Sequence, residues 1–197
     1  MTIDSQALDT LFRTARSQNG WLPKPVSDAQ LHEIYELMKW GPTSANQSPA
    51  RILFLRSAQS KERVKPHLLA ANVDKVMTAP AAVIIAYDVK FYEHLPKLFP
   101  HNPSASTWFA GDDKKALAEA SAFRNGTLQG AYFMLAARAV GLDCGPISGF
   151  NNAGVDGEFF AGTSFNSNFI CSIGYGDPAK VYTRSPRFKF DEVCQLL

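Results

Sequence analysis

No stretch of this 197-residue chain carries the roughly 20 consecutive apolar residues that a membrane-spanning helix requires, so an embedded helical protein is excluded. Cysteine is scarce. Cys144, Cys171 and Cys194 stand far apart with no C-x-x-C pair, which removes a disulfide framework and a thiolate zinc cluster and fits the reduced thiols of the cytosol. Charge of one sign is lacking too, since 20 Lys and Arg face 18 Asp and Glu. The basic residues are scattered, which gives no case for a nucleic-acid partner or a membrane surface. The four histidines, His32, His67, His94 and His101, form no ligand cluster, and His32-Glu33-x-x-Glu36 is not a zinc spacing. The first residues, Met1–Gln6, lack both a basic region and an apolar segment, so the chain reads as cytoplasmic. No repeat or low-complexity tract is present.

What is there is an ordinary globular composition, 46% hydrophobic and 19% charged, long enough for one sizeable core and short for two. The expected organisation is one domain over residues 1–197. Leu8, Leu11, Phe12 and Ala15 recur at helical spacing over residues 5–17, and Ser27-Asp28-Ala29-Gln30 caps a second helix whose Leu31, Ile34, Tyr35 and Met38 share a face. Short β-branched or aromatic runs predict strands at Arg51–Arg56, Ala81–Tyr87 and Asn168–Tyr175. Phe91–Gly111 is irregular and rich in aromatics, and reads either as a packed surface loop or as a lid over a site. The helix over Ala118–Val140 is apolar on nearly every face in its second half. In so small a chain its second side calls for another subunit, with a helix fully buried inside one domain as the other reading.

Four segments hold the chemistry. Gly41–Arg51, between a helical pattern and a strand, offers main-chain N–H groups, hydroxyls and an amide that can read a polar ligand edge; as bare loop chemistry it is equally a helix stop and turn. Asn72-Val73-Asp74-Lys75 precedes Ala79-Pro80 and a strand. Gly141–Phe150 follows the long helix, with Gly141 placed to cap it. Tyr182-Thr183-Arg184-Ser185-Pro186-Arg187 lies near the end. Two rival matches fail on context. Gly174-Tyr175-Gly176-Asp177-Pro178-Ala179 mimics a dinucleotide fingerprint without room for the following strand-helix-strand unit, and Tyr35-x-x-x-Lys39 lacks the upstream glycine-rich turn of a dehydrogenase.

Taken together, these segments resemble the nitroreductase-like flavoproteins over essentially the whole chain. Pro42, Thr43, Ser44, Asn46 and Pro49 are in register with that family's ligand loop, while Ser48 and Ala50 replace its Gln and its aromatic residue. Asn19-Gly20-Trp21, Lys39-Trp40-Gly41 and Ser148-Gly149-Phe150 resemble the branch that reduces malonic semialdehyde in pyrimidine degradation. The resemblance implies an α+β fold, a mixed central sheet flanked by helices, in an intertwined homodimer with an exchanged C-terminal segment and FMN at the interface. It implies that Arg16, Ser17, Asn19 and Arg184 hold the phosphate, although Arg16 is shifted by one position, Asn19 replaces a cation and Tyr182 replaces a common Lys, with Arg187 as a possible compensation. Asn72 and Lys75 would serve the flavin's pyrimidine side, where charge gathers on reduction. Pro146 and Ile147 would lie against the ring. Ser148, where many relatives carry Glu, and Gly149 would bring a main-chain N–H to N5. The implied reaction is hydride transfer from NADPH or NADH through FMN to a small aldehyde, with no protein nucleophile. Arg124 is the guess for a substrate carboxylate. A broad nitro- or quinone reductase and a non-catalytic flavin carrier are the alternatives.

Overall fold

Ala81–Asp88 forms one of the two inner strands of the sheet because every one of its side chains is apolar or paired, so that both faces can be covered. The computed structural model describes residues 2–197, and Met1, part of the N-terminal stretch read above, lies outside the described residues. In chain order the elements are α1 (Ser5–Leu8), α2 (Asp28–Met38), β1 (Ala50–Leu55), α3 (Ala58–Val64), α4 (Ala70–Met77), β2 (Ala81–Asp88), α5 (Leu95–Leu98), α6 (Lys115–Ala139), β3 (Asp143–Ile147), α7 (Asn152–Phe159), β4 (Phe165–Gly174) and α8 (Phe190–Val193). The fold is α+β, with strand order β1-β2-β4-β3. Every ladder is antiparallel. The mixed pairing expected of the sheet is confined to one parallel bridge, Ser17 to Cys144.

Strand alternation sorts the core into two layers. Ala81, Val83 and Ile85 of β2, with Cys171 and Ile173 of β4, face Ile34 and Met38 of α2 and Phe133 and Ala137 of α6. Ala82, Ile84 and Ala86 face the other way, toward Val64, Val76 and Val155 of α3, α4 and α7. Burying one such isoleucine contributes about 1.5–3 kcal/mol. The long helix can approach the sheet only because it carries glycine at the contact. A Cβ on Gly130 would stand 2.5 Å from Phe169 Cε1, and one on Gly126 2.9 Å from Tyr87 Cβ.

Two sequence expectations are corrected. The first helix ends at Arg13 after a π-helical turn, Asp9–Arg13, and does not reach residue 17. The reason is competition: Arg184 takes the carbonyls of Arg13 and Ala15, and the chain then turns out to meet Cys144. Asp143–Ile147, where no strand was expected, is the strand β3, tolerated with its Pro146 because it lies at the sheet edge and pairs only with β4. Phe91–Gly111, read either as a packed loop or as a lid, is packed, in short helical turns. Phe91 and Leu95 are fully buried there against Tyr87, Ala118 and Ala122. The glycine cap is found as expected, with Gly141 at φ 80° and its N–H donating to the Arg138 carbonyl. The G-x-G match at Gly174 leads into a single helical turn, Pro178–Lys180, and no long helix follows.

Candidate functional site

The chain exit from α1 and the C-terminal segment are tied together by arginines. Arg184 donates through Nη2 to the carbonyls of Arg13 (2.8 Å) and Ala15 (2.9 Å), and Arg16 donates to the Tyr182 carbonyl. Between these segments lies a cavity of about 560 Å³. Arg16, Ser17, Asn19, Arg138, Arg184 and Arg187 line it, and no acidic side chain does. Four guanidinium groups give the cavity a positive lining, and their planar forks suit phosphate oxygens. Arg138 was not singled out in the sequence. In the last turn of a helix an arginine reads as a partner of the helix dipole, and its 3.1 Å bond to the Leu11 carbonyl is a contact 127 residues away that spacing does not reveal.

A second group adjoins the first through the main chain. Gln18 N donates to the Cys144 carbonyl at 2.9 Å, which lays residues 16–19 alongside β3. Lys75, on α4, reaches the same strand: its Nζ donates to the Pro146 carbonyl at 3.2 Å, and its Cε lies 2.7 Å from where a Gly145 Cβ would be. Trp21 steadies α4 there by donating Nε1 to the Lys75 carbonyl at 2.9 Å. Burial pushes the Lys75 pKa below its ordinary 10.5, with the Cys171 thiol nearby acting weakly the other way. Asn72 donates Nδ2 to the Gly149 carbonyl at 3.0 Å, and Leu69 N donates to the same oxygen at 3.0 Å. Both lone pairs of that carbonyl are thus taken, which fixes the Gly149–Phe150 peptide plane. Ser148 is exposed and Pro146 half-buried, whereas the Ile147 side chain is committed to the core beside Phe150 and Ile170.

The third group stands apart. Loop residues Pro42, Ser44 and Asn46 are exposed, while Thr43 accepts from Ser48 N at 3.2 Å and Asn46 donates to the Leu98 carbonyl at 2.7 Å. Ala45, Asn46 and Ser48 have φ of 48°, 50° and 42°, a left-handed backbone that costs each non-glycine residue roughly 1–2 kcal/mol. Ser44 N donates to Asn125 Oδ1 at 2.9 Å, so the loop is seated on α6 at Asn125. Arg138 of the anion cavity lies 13 residues farther along the same helix, about 20 Å at 1.5 Å per residue. The loop also leads into β1, at the opposite edge of the sheet from β3. One chain therefore brings together Arg16, Ser17, Asn19, Arg184, Asn72, Lys75 and residues 146–149, and leaves Pro42, Thr43, Ser44 and Asn46 on a different face. Arg124 lies on the outer face of α6, exposed and in no ion pair among the described residues.

The sequence profile of the Nitroreductase family matches residues 13–175. A protein of Ralstonia pickettii, HadB, provisionally named an NADH dehydrogenase/NAD(P)H nitroreductase, is 61% identical over 190 residues, covering 96% of this chain and 97% of its own. A relative from Cupriavidus pinatubonensis with the same provisional name is 59% identical over 192 residues, 98% of each chain. Among solved structures, a provisionally assigned nitroreductase of Bacillus subtilis superposes with a TM-score of 0.86 at 21% identity, over 98% of this chain and 100% of the other. Another, from Exiguobacterium sibiricum and solved in complex with FMN, gives 0.82 at 18% identity over 100% and 99%. No helix among the described residues is long and apolar enough to cross a membrane.

Proposed function

This chain belongs to the Nitroreductase family and is an oxidoreductase of that family, and from that premise we propose that it is an FMN-dependent, NAD(P)H-consuming reductase of a small aldehyde, malonic semialdehyde. The observation that carries the reading is the run of anion cavity into lysine cluster, Arg184 and Arg16 through Gln18 to Gly145, Lys75 and Gly149. It fits the two ends of FMN. A phosphate matches the four guanidinium groups, Ser17 and Asn19, and Arg138 and Arg187 supply the cations absent at positions 19 and 182. Lys75 and Asn72 are donors where a reduced flavin's pyrimidine edge gathers negative charge, and the tied Gly149 peptide presents main chain without a side chain in the way. When bound, FMN supplies two-electron hydride exchange, first with a nicotinamide and then with the substrate. The protein's own part is to bind, to orient and to hold charge.

The site is completed by a second copy of the chain in this reading. The loop Pro42–Asn46 lies on a separate face, and beside it α6 exposes Leu117, Leu128 and Tyr132 along one side, an apolar stripe that a partner's equivalent would cover. The C-terminal residues past Val181 are exposed throughout, including Phe188, Phe190, Val193 and Leu196. Such an arm suits exchange. The open edge of β1, beside a cleft of about 850 Å³ lined by Leu31, Tyr35, Ile52 and Phe54, is a place to receive it. A single-domain homodimer in the cytoplasm follows from the same reading, the three cysteines being free thiols.

Two-substrate kinetics test the proposal. Malonic semialdehyde reduced to 3-hydroxypropanoate with parallel initial-rate lines supports it, and intersecting lines remove the two-stage mechanism. The relatives' nitroreductase names favour a second reading, a broad nitro- or quinone reductase. A higher kcat/KM for menadione or nitrofurazone than for the aldehyde would decide for it. A carrier without turnover would leave the bound flavin oxidised under anaerobic NADPH.

A further inference from the structure

Helix α6 carries a line of polar side chains inside an otherwise apolar face. Ser121, Asn125 and Gln129 follow at four-residue spacing, which stacks them on one side of the helix. Asn125 and Gln129 are buried, a costly place for an amide unless each polar atom is matched. All three are matched to one segment. Asn125 Oδ1 accepts from Ser44 N at 2.9 Å, and Gln129 Oε1 accepts from Ala50 N at 2.8 Å. Between these two anchors Gln47 is buried, its Oε1 accepting from Ser121 Oγ at 3.0 Å and from Asn125 Nδ2 at 3.1 Å. Asn125 Nδ2 also donates to the Ser121 carbonyl at 2.9 Å, which locks its rotamer.

The anchored segment, Ser44–Ala50, is the one whose Ala45, Asn46 and Ser48 hold left-handed backbone. Such conformations persist when surrounding contacts over-determine them. The solvent-facing members, Ser44 and Asn46, make no part of the hydrophobic core, so packing does not explain why the loop is held in this shape. We propose that Ser121, Asn125, Gln129 and Gln47 are positioning residues, a template that sets the Thr43–Ala50 loop in its ligand-binding form before any ligand arrives. That the loop's ligand is FMN rests on the proposed function; that the loop is preset does not. The template also joins two tasks in one helix. Its buried polar side shapes the loop while its outer apolar side is the face assigned to the second copy, so assembly and ligand binding share α6.

Amide hydrogen exchange on the cofactor-free protein separates the parts. In Asn125→Ala, exchange at Ser44 is expected to quicken about tenfold, the size of one lost hydrogen bond to a buried acceptor, with Ala50 unchanged. Gln129→Ala should do the reverse, freeing Ala50 and sparing Ser44. A general loss of stability would move both together. Ser121→Ala keeps the Asn125 acceptor for Ser44 N and removes only one donor to Gln47, so it should leave protection at Ser44 in place. FMN affinity, read by flavin fluorescence quenching, should fall about tenfold in Asn125→Ala. Unchanged exchange at Ser44 in Asn125→Ala, or a Ser121→Ala variant that exposes Ser44 as much as Asn125→Ala does, would overturn the template. If Asn125→Ala does not fold, the Gln129→Ala pattern decides alone, since exchange rising at Ser44 as well as Ala50 contradicts it. Failure of the wild-type protein to bind FMN would remove the proposed function and leave the exchange result to judge the template.

Discussion

Lys75 holds its charge where hydration is reduced, against β3 and within reach of the Pro146 carbonyl. An ammonium that is poorly hydrated gains most from a ligand that becomes negative beside it. Lys75→Ala is therefore expected to lower the midpoint potential of bound FMN by roughly 30 mV, which for two electrons corresponds to about 1.4 kcal/mol. Spectroelectrochemistry measures this, and an unchanged potential would mean the lysine faces something else. The same lysine gives a pH signature. Its pKa is lower in the folded chain than in the unfolded one, so between the folded value and 10.5 the unfolded state binds more protons and stability rises with pH. Below that window the desolvation cost is present in full. In urea titrations of the cofactor-free protein, the stability of Lys75→Met relative to wild type should therefore decline as pH climbs through the alkaline range, and a constant difference would contradict it. At Gly149 the constraint is steric. A Cβ there would stand 2.5 Å from Asn72 Nδ2 and 3.0 Å from Leu69 Cδ1, so Gly149→Val should expel Asn72 from its bond and reduce flavin occupancy, measured from the absorbance ratio of the purified protein.

At the scale of elements, the long helix decides how closely the layers approach. Gly130→Ala would push a methyl into the Phe169 ring and Ile85 Cγ2, an overpacking that costs about 1–3 kcal/mol and lowers Tm by roughly 2–4 °C per kcal/mol, as calorimetry would show. Elements like this one were legible because their pattern is intrinsic. α2 carries its capping box in Ser27 and Gln30, β2 is an unbroken apolar run, and α6 announces itself by length and composition. β3 was not legible, since Asp-Cys-Gly-Pro-Ile contains two residues that ordinarily break strands, and only its edge position makes it one. The early end of the first helix was hidden for a related reason, because Arg184, distant in sequence, takes the carbonyls that a longer helix would have used. Of the site, the segments around Arg16, Asn72, Lys75 and Gly149 were visible as motifs and are brought together. Arg138 and the Ser121-Asn125-Gln129 line were missed, although the four-residue repeat of polar groups inside an apolar helix was there to be read. Arg184→Ala removes a cation and leaves two carbonyls unpaired, so FMN affinity should drop tenfold or more, given about 1.5–3 kcal/mol for a charged hydrogen bond, with an unaltered affinity moving the phosphate elsewhere.

For the molecule as a whole, the separation of the Pro42–Asn46 loop from the arginine and lysine groups makes assembly part of the chemistry on the proposed reading. Leu128, exposed at 47% on the outer face of α6, is the place to test that. Leu128→Glu should yield a monomer in sedimentation velocity and lose flavin with it, whereas a monomer that still retains FMN would show that one chain suffices. The central claim is that the arginine cavity and the Lys75 cluster together hold a flavin that passes hydride from a nicotinamide to a small aldehyde. An absorbance spectrum of the FMN-supplemented protein, taken before and after anaerobic NADPH and again after malonic semialdehyde, tests it most directly. Bleaching of the flavin band followed by its recovery on adding the aldehyde is the predicted result. A flavin that does not bind, or that bleaches and is restored only by a quinone, would contradict it.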